Sequence, residues 1–254
     1  MAQKNVWLKE KMIELAGKKI LFVAPHPDDD VIGCGALLLS LVPDSITVAY
    51  AVSGFNGVTD RFAQKVDSGF SDRSDREKQA IKSQIRRREA LASCDYLGIE
   101  SIFWNLPFYE KQKQEKKLAR NDLAIIESSI RYINPDVVFL IDEMSDPHKT
   151  HATVHVLTLQ ALKNISFRGK VFGYRVWDPV YAKSQCDMTL FFDEHAMAEK
   201  TKLISFHASQ ILDPAFPHEH HSFIELVKVS NRHVAKQCAS DKPYGECYRK
   251  LEVF

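Results

Sequence analysis

Residues 21–35 read LFVAPHPDDDVIGCG, an apolar run that stops at Pro25 and then sets one histidine and three consecutive aspartates on what should be a short turn. The run Ile20 to Ala24 has the composition of a strand buried on both faces, and Val31 to Leu41 has a helical pattern. A strand that hands over to a helix through a tight polar turn is the first half of a βαβ unit. The same alternation recurs downstream.

Further apolar runs at Ile46 to Val52, Ile102 to Trp104, Val137 to Ile141 and Val171 to Val176 read as strands. Helical patterns lie between them, at Asp75 to Leu97, Asp122 to Ile133 and Ala152 to Leu162. The first of these opens with Ser74 and Glu77 at capping-box spacing and stops at Gly98. This order implies an α/β fold, a Rossmann-like three-layer sandwich with a mostly parallel sheet. After Trp177 the alternation weakens: a short strand is expected near Met188 to Phe192, with helices from Glu194 to Phe206 and Ser222 to Ala235. Residues 1–254 are read as one domain, with those from about 178 forming a C-terminal layer. The polar stretch from Ser53 to Ser74 is the longest expected loop.

Composition narrows the partner. The chain has 254 residues, 45% of them hydrophobic, enough to bury a full core. Thirty-four Lys plus Arg against 33 Asp plus Glu give a formal charge of +1, which offers no global attraction for nucleic acid or an anionic membrane. A small-molecule partner follows. No apolar run approaches the roughly 18 to 20 residues that span a bilayer, and the N-terminus interleaves charges with apolar residues, so a cytoplasmic chain is expected. The five cysteines form no C-x-x-C pair and read as reduced thiols.

Open α/β sheets bind ligands at the carboxyl ends of their strands, near the point where strand order reverses. PHPDDD sits at such an end, and DEMSDPHKTHATVH sits at an equivalent one after Val137 to Ile141. His26 and Asp29 from the first cluster and His151 from the second make a three-ligand zinc set that leaves one position open for water, the arrangement of a catalytic metal. Asp28 is then the natural general base, His148 the group that holds an oxyanion or protonates a leaving amine, and Asp30 a cap for the following helix. A dinucleotide fingerprint fails at GCGALL, because Leu38 stands where the third glycine belongs.

APHPDDDVIGCGALL resembles the first motif of the PIG-L (LmbE-like) N-acetylglucosaminyl deacetylase family, and DPHKTHATVHVLTLQAL resembles its second. IRRREALASCDYLGI, NLPFYE, RYINPDVVFL, KTKLISFHASQ and the closing segment extend the resemblance from about Lys18 to Phe254. It implies zinc, or another divalent ion, on His26, Asp29 and His151, with Asp28 as base, His148 polarising and Arg86 contacting a sugar. DPHKTH and LPFY are most similar to the diacetylchitobiose deacetylase branch, which implies removal of an acetyl group from a free N-acetylglucosamine saccharide and a homo-oligomeric state. Two positions depart from the pattern: Asp30 replaces a glutamate, and Thr150 stands where many relatives carry an aspartate, leaving Asp146 to orient His148.

Competing readings stay open at this stage. A zinc amidase acting on a thiol-sugar conjugate would use the same residues, and a non-catalytic saccharide-binding protein would use the same scaffold. Arg86 stands in a basic run that a solvated helix face would also explain. The run His218 to His221, with His207 nearby, is a second metal candidate. Tyr174 and Trp177 close a strand where either sugar stacking or core packing accounts for them.

Overall fold

The computed structural model describes residues 15–42, 45–110, 120–142, 149–176, 180–215 and 222–253. Seven strands, β1 (Ile20–Ala24), β2 (Ile46–Tyr50), β3 (Glu100–Phe103), β4 (Val137–Ile141), β5 (Lys170–Tyr174), β6 (Met188–Phe192) and β7 (Tyr244–Leu251), form one sheet in the order β3-β2-β1-β4-β5-β7-β6. The first five are mutually parallel. β7 runs antiparallel between β5 and β6.

Nine helices accompany the strands among the described residues: α1 (Asp29–Ser40), α2 (Asp60–Val66), α3 (Asp75–Leu97), α4 (Pro107–Glu110), α5 (Arg120–Ile133), α6 (Thr150–Asn164), α7 (Glu194–Ser205), α8 (Ala208–Ile211) and α9 (Phe223–Gln237). Strand alternation sorts the core into two layers. Phe22, Val48 and Phe139 face α1, α3, α7 and α9, whereas Leu21, Val23, Val138 and Leu140 face α4, α5 and α6. On the first face Phe22, Phe139 and Phe172 stack across three neighbouring strands, with centroids 4.8 and 5.3 Å apart. None of the described helices is long and apolar enough to cross a membrane.

The glycines after the aspartate turn serve packing. A Cβ on Gly33 would overlap the Tyr174 ring, and one on Gly35 would sit 2.9 Å from Lys200 Cγ. α1 therefore lies tight against its neighbours, and its first turn is fixed with it. Tyr174 is fully buried, its hydroxyl donating to the Val23 carbonyl at 3.0 Å, so core packing accounts for it. The capping box at Ser74 and Glu77 forms, and Gly98 ends α3 with φ 69°.

Three expectations need correction, and one strand was not foreseen. The stretch Ser53 to Ser74 contains α2, because the Thr59 side chain caps it through Phe62 N at 3.0 Å and Phe62, Ala63 and Phe70 are buried. β7 was not expected as a strand. Cys186 and Cys247 form a disulfide with Cα atoms 5.7 Å apart, because β7 brings Cys247 beside the segment entering β6. Asp30 lies inside the first turn of α1 and accepts from Tyr50 Oη at 3.0 Å instead of capping the helix. His148, Asp146, Trp177 and the run 218–221 fall outside the described residues.

Candidate metal centre

The strand order reverses between β1 and β4, which are adjacent and parallel with Val23 opposite Leu140. The chain leaving β1 goes to α1 and the chain leaving β4 goes to α6, so the turn that carries His26 and the first turn of α6, which carries His151, meet at the crevice where α/β sheets hold ligands. The first turn is closed by its own backbone: Asp28 N and Asp29 N both donate to the His26 carbonyl, at 2.9 and 3.3 Å. Asp29 Oδ2 accepts from His26 N at 2.8 Å, which pins the carboxylate in place.

Three ligand atoms converge there. His26 Nδ1 lies 3.2 Å from Asp29 Oδ2 and 3.2 Å from His151 Nε2, and His151 Nε2 lies 3.3 Å from Asp29 Oδ2. Donors bound at about 2.0 Å to a tetrahedral ion stand about 3.3 Å apart, so the triangle fits a zinc-sized cation without rearrangement. Among the described residues this is the one set of three metal-ligating side chains whose atoms come within 4.8 Å of one another. Asp29 and His151 are buried, while the His26 side chain keeps 24% of its surface exposed and marks the open side. Burial alone would raise the Asp29 pKa, but His151 and His26 outweigh it and hold the carboxyl well below the usual range.

Asp28 points elsewhere. Its Oδ1 accepts from Arg86 Nη2 at 2.8 Å, and Arg86 Nη1 stands 3.7 Å from Glu89 Oε2. Arg86 is 2% exposed, which excludes the solvated-face reading. Burial of the guanidinium disfavours its charge, and the carboxylates of Asp28 and Glu89 more than restore it. Its Nε and Nη1 have no hydrogen-bond partner among the described residues. Glu89 in turn accepts from Ser209 N at 2.6 Å and Ser209 Oγ at 2.8 Å.

The element His207–Gln210 thus props the site from behind, a role that its sequence alone does not reveal. Beside Ser209, Gln210 Nε2 donates to the Gly57 carbonyl at 2.8 Å, and His207 is fully buried, its pKa pushed down by burial and by Arg86. An aromatic wall was also missed. Tyr109 sits edge-on to His26 with centroids 6.3 Å apart, and Phe55 sits edge-on to Tyr109 at 5.3 Å. Tyr109 lies in the LPFY stretch, but nothing local links it to Phe55, because the wall forms only when the segments after β2 and β3 meet.

With two imidazoles and a carboxylate converging, and a second carboxylate held by a buried arginine, the cluster has the parts for metal-assisted hydrolysis. The model of the PIG-L family, described as GlcNAc-PI de-N-acetylase, matches residues 21–162. The chain is 31% identical over 171 residues to a glucosamine-6-phosphate deaminase-like protein of Bacteroides thetaiotaomicron, a match covering 53% of this chain and 26% of that protein. This chain thus spans about a quarter of that relative's length. Among solved structures, the N,N'-diacetylchitobiose deacetylase of Pyrococcus horikoshii aligns with TM-score 0.65 at 19% identity, covering 92% of this chain and 84% of that one. A deacetylase of the teicoplanin biosynthesis pathway aligns with TM-score 0.61 at 15% identity, covering 91% of this chain and 96% of that one.

Proposed function

Because the chain belongs to the PIG-L (LmbE-like) family of metal-dependent N-deacetylases, we propose that it hydrolyses the acetamide of a free N-acetylglucosamine saccharide, the monosaccharide or its β-linked dimer, releasing acetate and the amino sugar. The observation that carries this reading is the convergence of His26 Nδ1, Asp29 Oδ2 and His151 Nε2 within 3.3 Å of one another at the strand-order reversal, with Asp28 alongside. The chitobiose deacetylase likeness supports a short free saccharide over a lipid-linked one.

His26, Asp29 and His151 would hold the ion, with zinc the choice their nitrogen and oxygen donors favour. When bound, such an ion supplies Lewis acidity, acidifying water and polarising a carbonyl. Asp28 does the proton work. Arg86 fixes its Oδ1, which leaves Oδ2 to accept the proton of the attacking water as the C–O bond forms. The same proton then passes to the sugar nitrogen as the C–N bond breaks, so that acetate and amine leave and Asp28 returns to its starting state. His148, two residues ahead of α6, would hold the developing oxyanion. Arg86, buried behind Asp28 with Gly54 drawn against its Nε, serves the reaction by holding the base in place.

Acetate release from N-acetylglucosamine, its β-linked dimer and a thiol-sugar conjugate amide, measured on zinc-loaded protein, tests the substrate. Turnover confined to the conjugate would replace the saccharide reading, and no release from any of them would favour a binding protein.

A further inference from the structure

We propose that the half-buried ring of Phe55 is the platform on which the apolar face of the hexosamine ring rests. The inference deepens the deacetylase reading and depends on it for the identity of the sugar. Phe55 stands in a single turn, Phe55–Gly57, that follows β2 at the carboxyl edge of the sheet. The chain leaving β2 is stitched to the chain leaving β1, through Ala51 N to the Ala24 carbonyl at 2.8 Å and Val52 N to the Pro25 carbonyl at 3.0 Å. The turn therefore adjoins the segment that carries His26.

Nothing about this turn is loose. Gly54 has φ 65°, and a Cβ there would lie 3.0 Å from Pro27 Cδ and 3.3 Å from Arg86 Nε, so the backbone is drawn against the metal turn and the arginine. From the other side Gln210 holds the Gly57 carbonyl. Phe55 remains half-buried, its inner side packed against Tyr109, which itself packs against the ligand His26. A phenyl ring fixed in this way stands one ring removed from His26, whose side chain keeps 24% of its surface exposed, so its apolar surface adjoins the open side of the candidate metal site.

A pyranose has the matching surfaces. Its axial C–H groups form an apolar face that meets the electron-rich face of an aromatic ring, while its hydroxyls lie around the edge where hydrogen-bond donors can reach them. Apolar bulk at position 55 would also serve core packing, so the distinguishing property is aromaticity.

The test compares wild type with Phe55→Leu, which keeps apolar volume without the ring face, and with Phe55→Trp, which keeps the face. Two readouts are taken: KM and kcat for acetate release from N-acetylglucosamine by zinc-loaded protein, and calorimetric binding of the same sugar to metal-free protein. For Phe55→Leu, KM and Kd are expected to rise about three- to tenfold with kcat nearly unchanged, and Phe55→Trp is expected to restore both. KM and Kd of Phe55→Leu equal to wild type, in protein that keeps its metal and its thermal midpoint, would overturn the platform. Sugar binding that weakens in Phe55→Leu while wild type releases no acetate would support the platform and reject the deacetylase reading. No binding and no release by wild type would reject both.

Discussion

Replacing Lys200 by methionine probes the buried ion pair that ties β7 to α1. Lys200 and Glu246 form an ion pair 2.7 Å long with side chains 0% and 1% exposed. Lys200 Nζ also donates to Asn231 Oδ1 at 2.9 Å. Glu246 accepts from Ala36 N at 2.9 Å, Leu37 N at 3.0 Å and Tyr248 Oη at 2.7 Å, which ties β7 to the middle of α1. Methionine fills the volume but leaves a buried carboxylate without its cation, a change that costs about 3–5 kcal/mol in comparable buried pairs. Three donors remain on Glu246, so the lower end, about 3 kcal/mol, is expected for Lys200→Met. Urea unfolding at pH 7 reads this as a lower midpoint with an unchanged slope. Adding Glu246→Gln removes the stranded charge and is expected to recover part of the loss, with a coupling of about 1–3 kcal/mol. Metal binding by the folded variant should survive, because Asp29 is also pinned by His26 N within its own turn. A loss below about 1 kcal/mol, or strictly additive effects in the double variant, would refute the reasoning.

Other consequences are as specific. Asp28→Asn keeps the contact to Arg86 but cannot take a proton, so turnover is expected to fall about 10²- to 10⁴-fold while metal content, read by mass spectrometry, stays at the wild-type value; near-normal turnover would remove Asp28 from the role of base. Burial pushes the Asp30 pKa up to about 7, the Tyr50 hydrogen bond offsetting only part of it. Its folded form thus binds more protons than its unfolded form, so the stability it contributes is present near pH 4 and lost as pH rises to 7. Asp30→Asn should therefore be more stable than wild type by at most about 4 kcal/mol at pH 8 and by almost nothing at pH 4, and an equal difference at both would contradict the burial argument. With Cys186 joined to Cys247, a thiol titration of denatured, unreduced protein should find three free groups, Cys34, Cys94 and Cys238. Across the 61-residue separation the link should contribute about 4 kcal/mol, read as the fall in unfolding free energy on reduction; five free thiols would exclude it.

Much of this architecture is visible in local sequence. β1 and β4 are apolar at every position, and β2 at all but Thr47, because both faces of the sheet are covered, and the capping box at Ser74 and Glu77 marks the start of α3. The candidate metal site of His26, Asp29 and His151 was legible for a related reason: polar residues at the ends of buried strands have few structural uses, and two such clusters sat at adjacent strand ends. What was hidden depends on distant partners. β7, YGECYRKL, carries Glu246, Arg249 and Lys250 and so looks solvent-facing, yet Glu246 is buried against Lys200, 46 residues earlier. The burial of Arg86 depends on Asp28 and Glu89, and that of Glu89 on Ser209, 120 residues away. The Cys186–Cys247 link likewise appears only once β7 pairs with β6.

The most direct measurement is a zinc titration of chelator-stripped protein, following metal binding and acetate release from N-acetylglucosamine in the same samples, for wild type and for His151→Ala. Wild-type activity should rise from nothing in step with binding and saturate at one equivalent per chain, and His151→Ala should lose both. Acetate release that persists in the stripped protein, or binding and release untouched by His151→Ala, would contradict a hydrolytic metal centre on His26, Asp29 and His151.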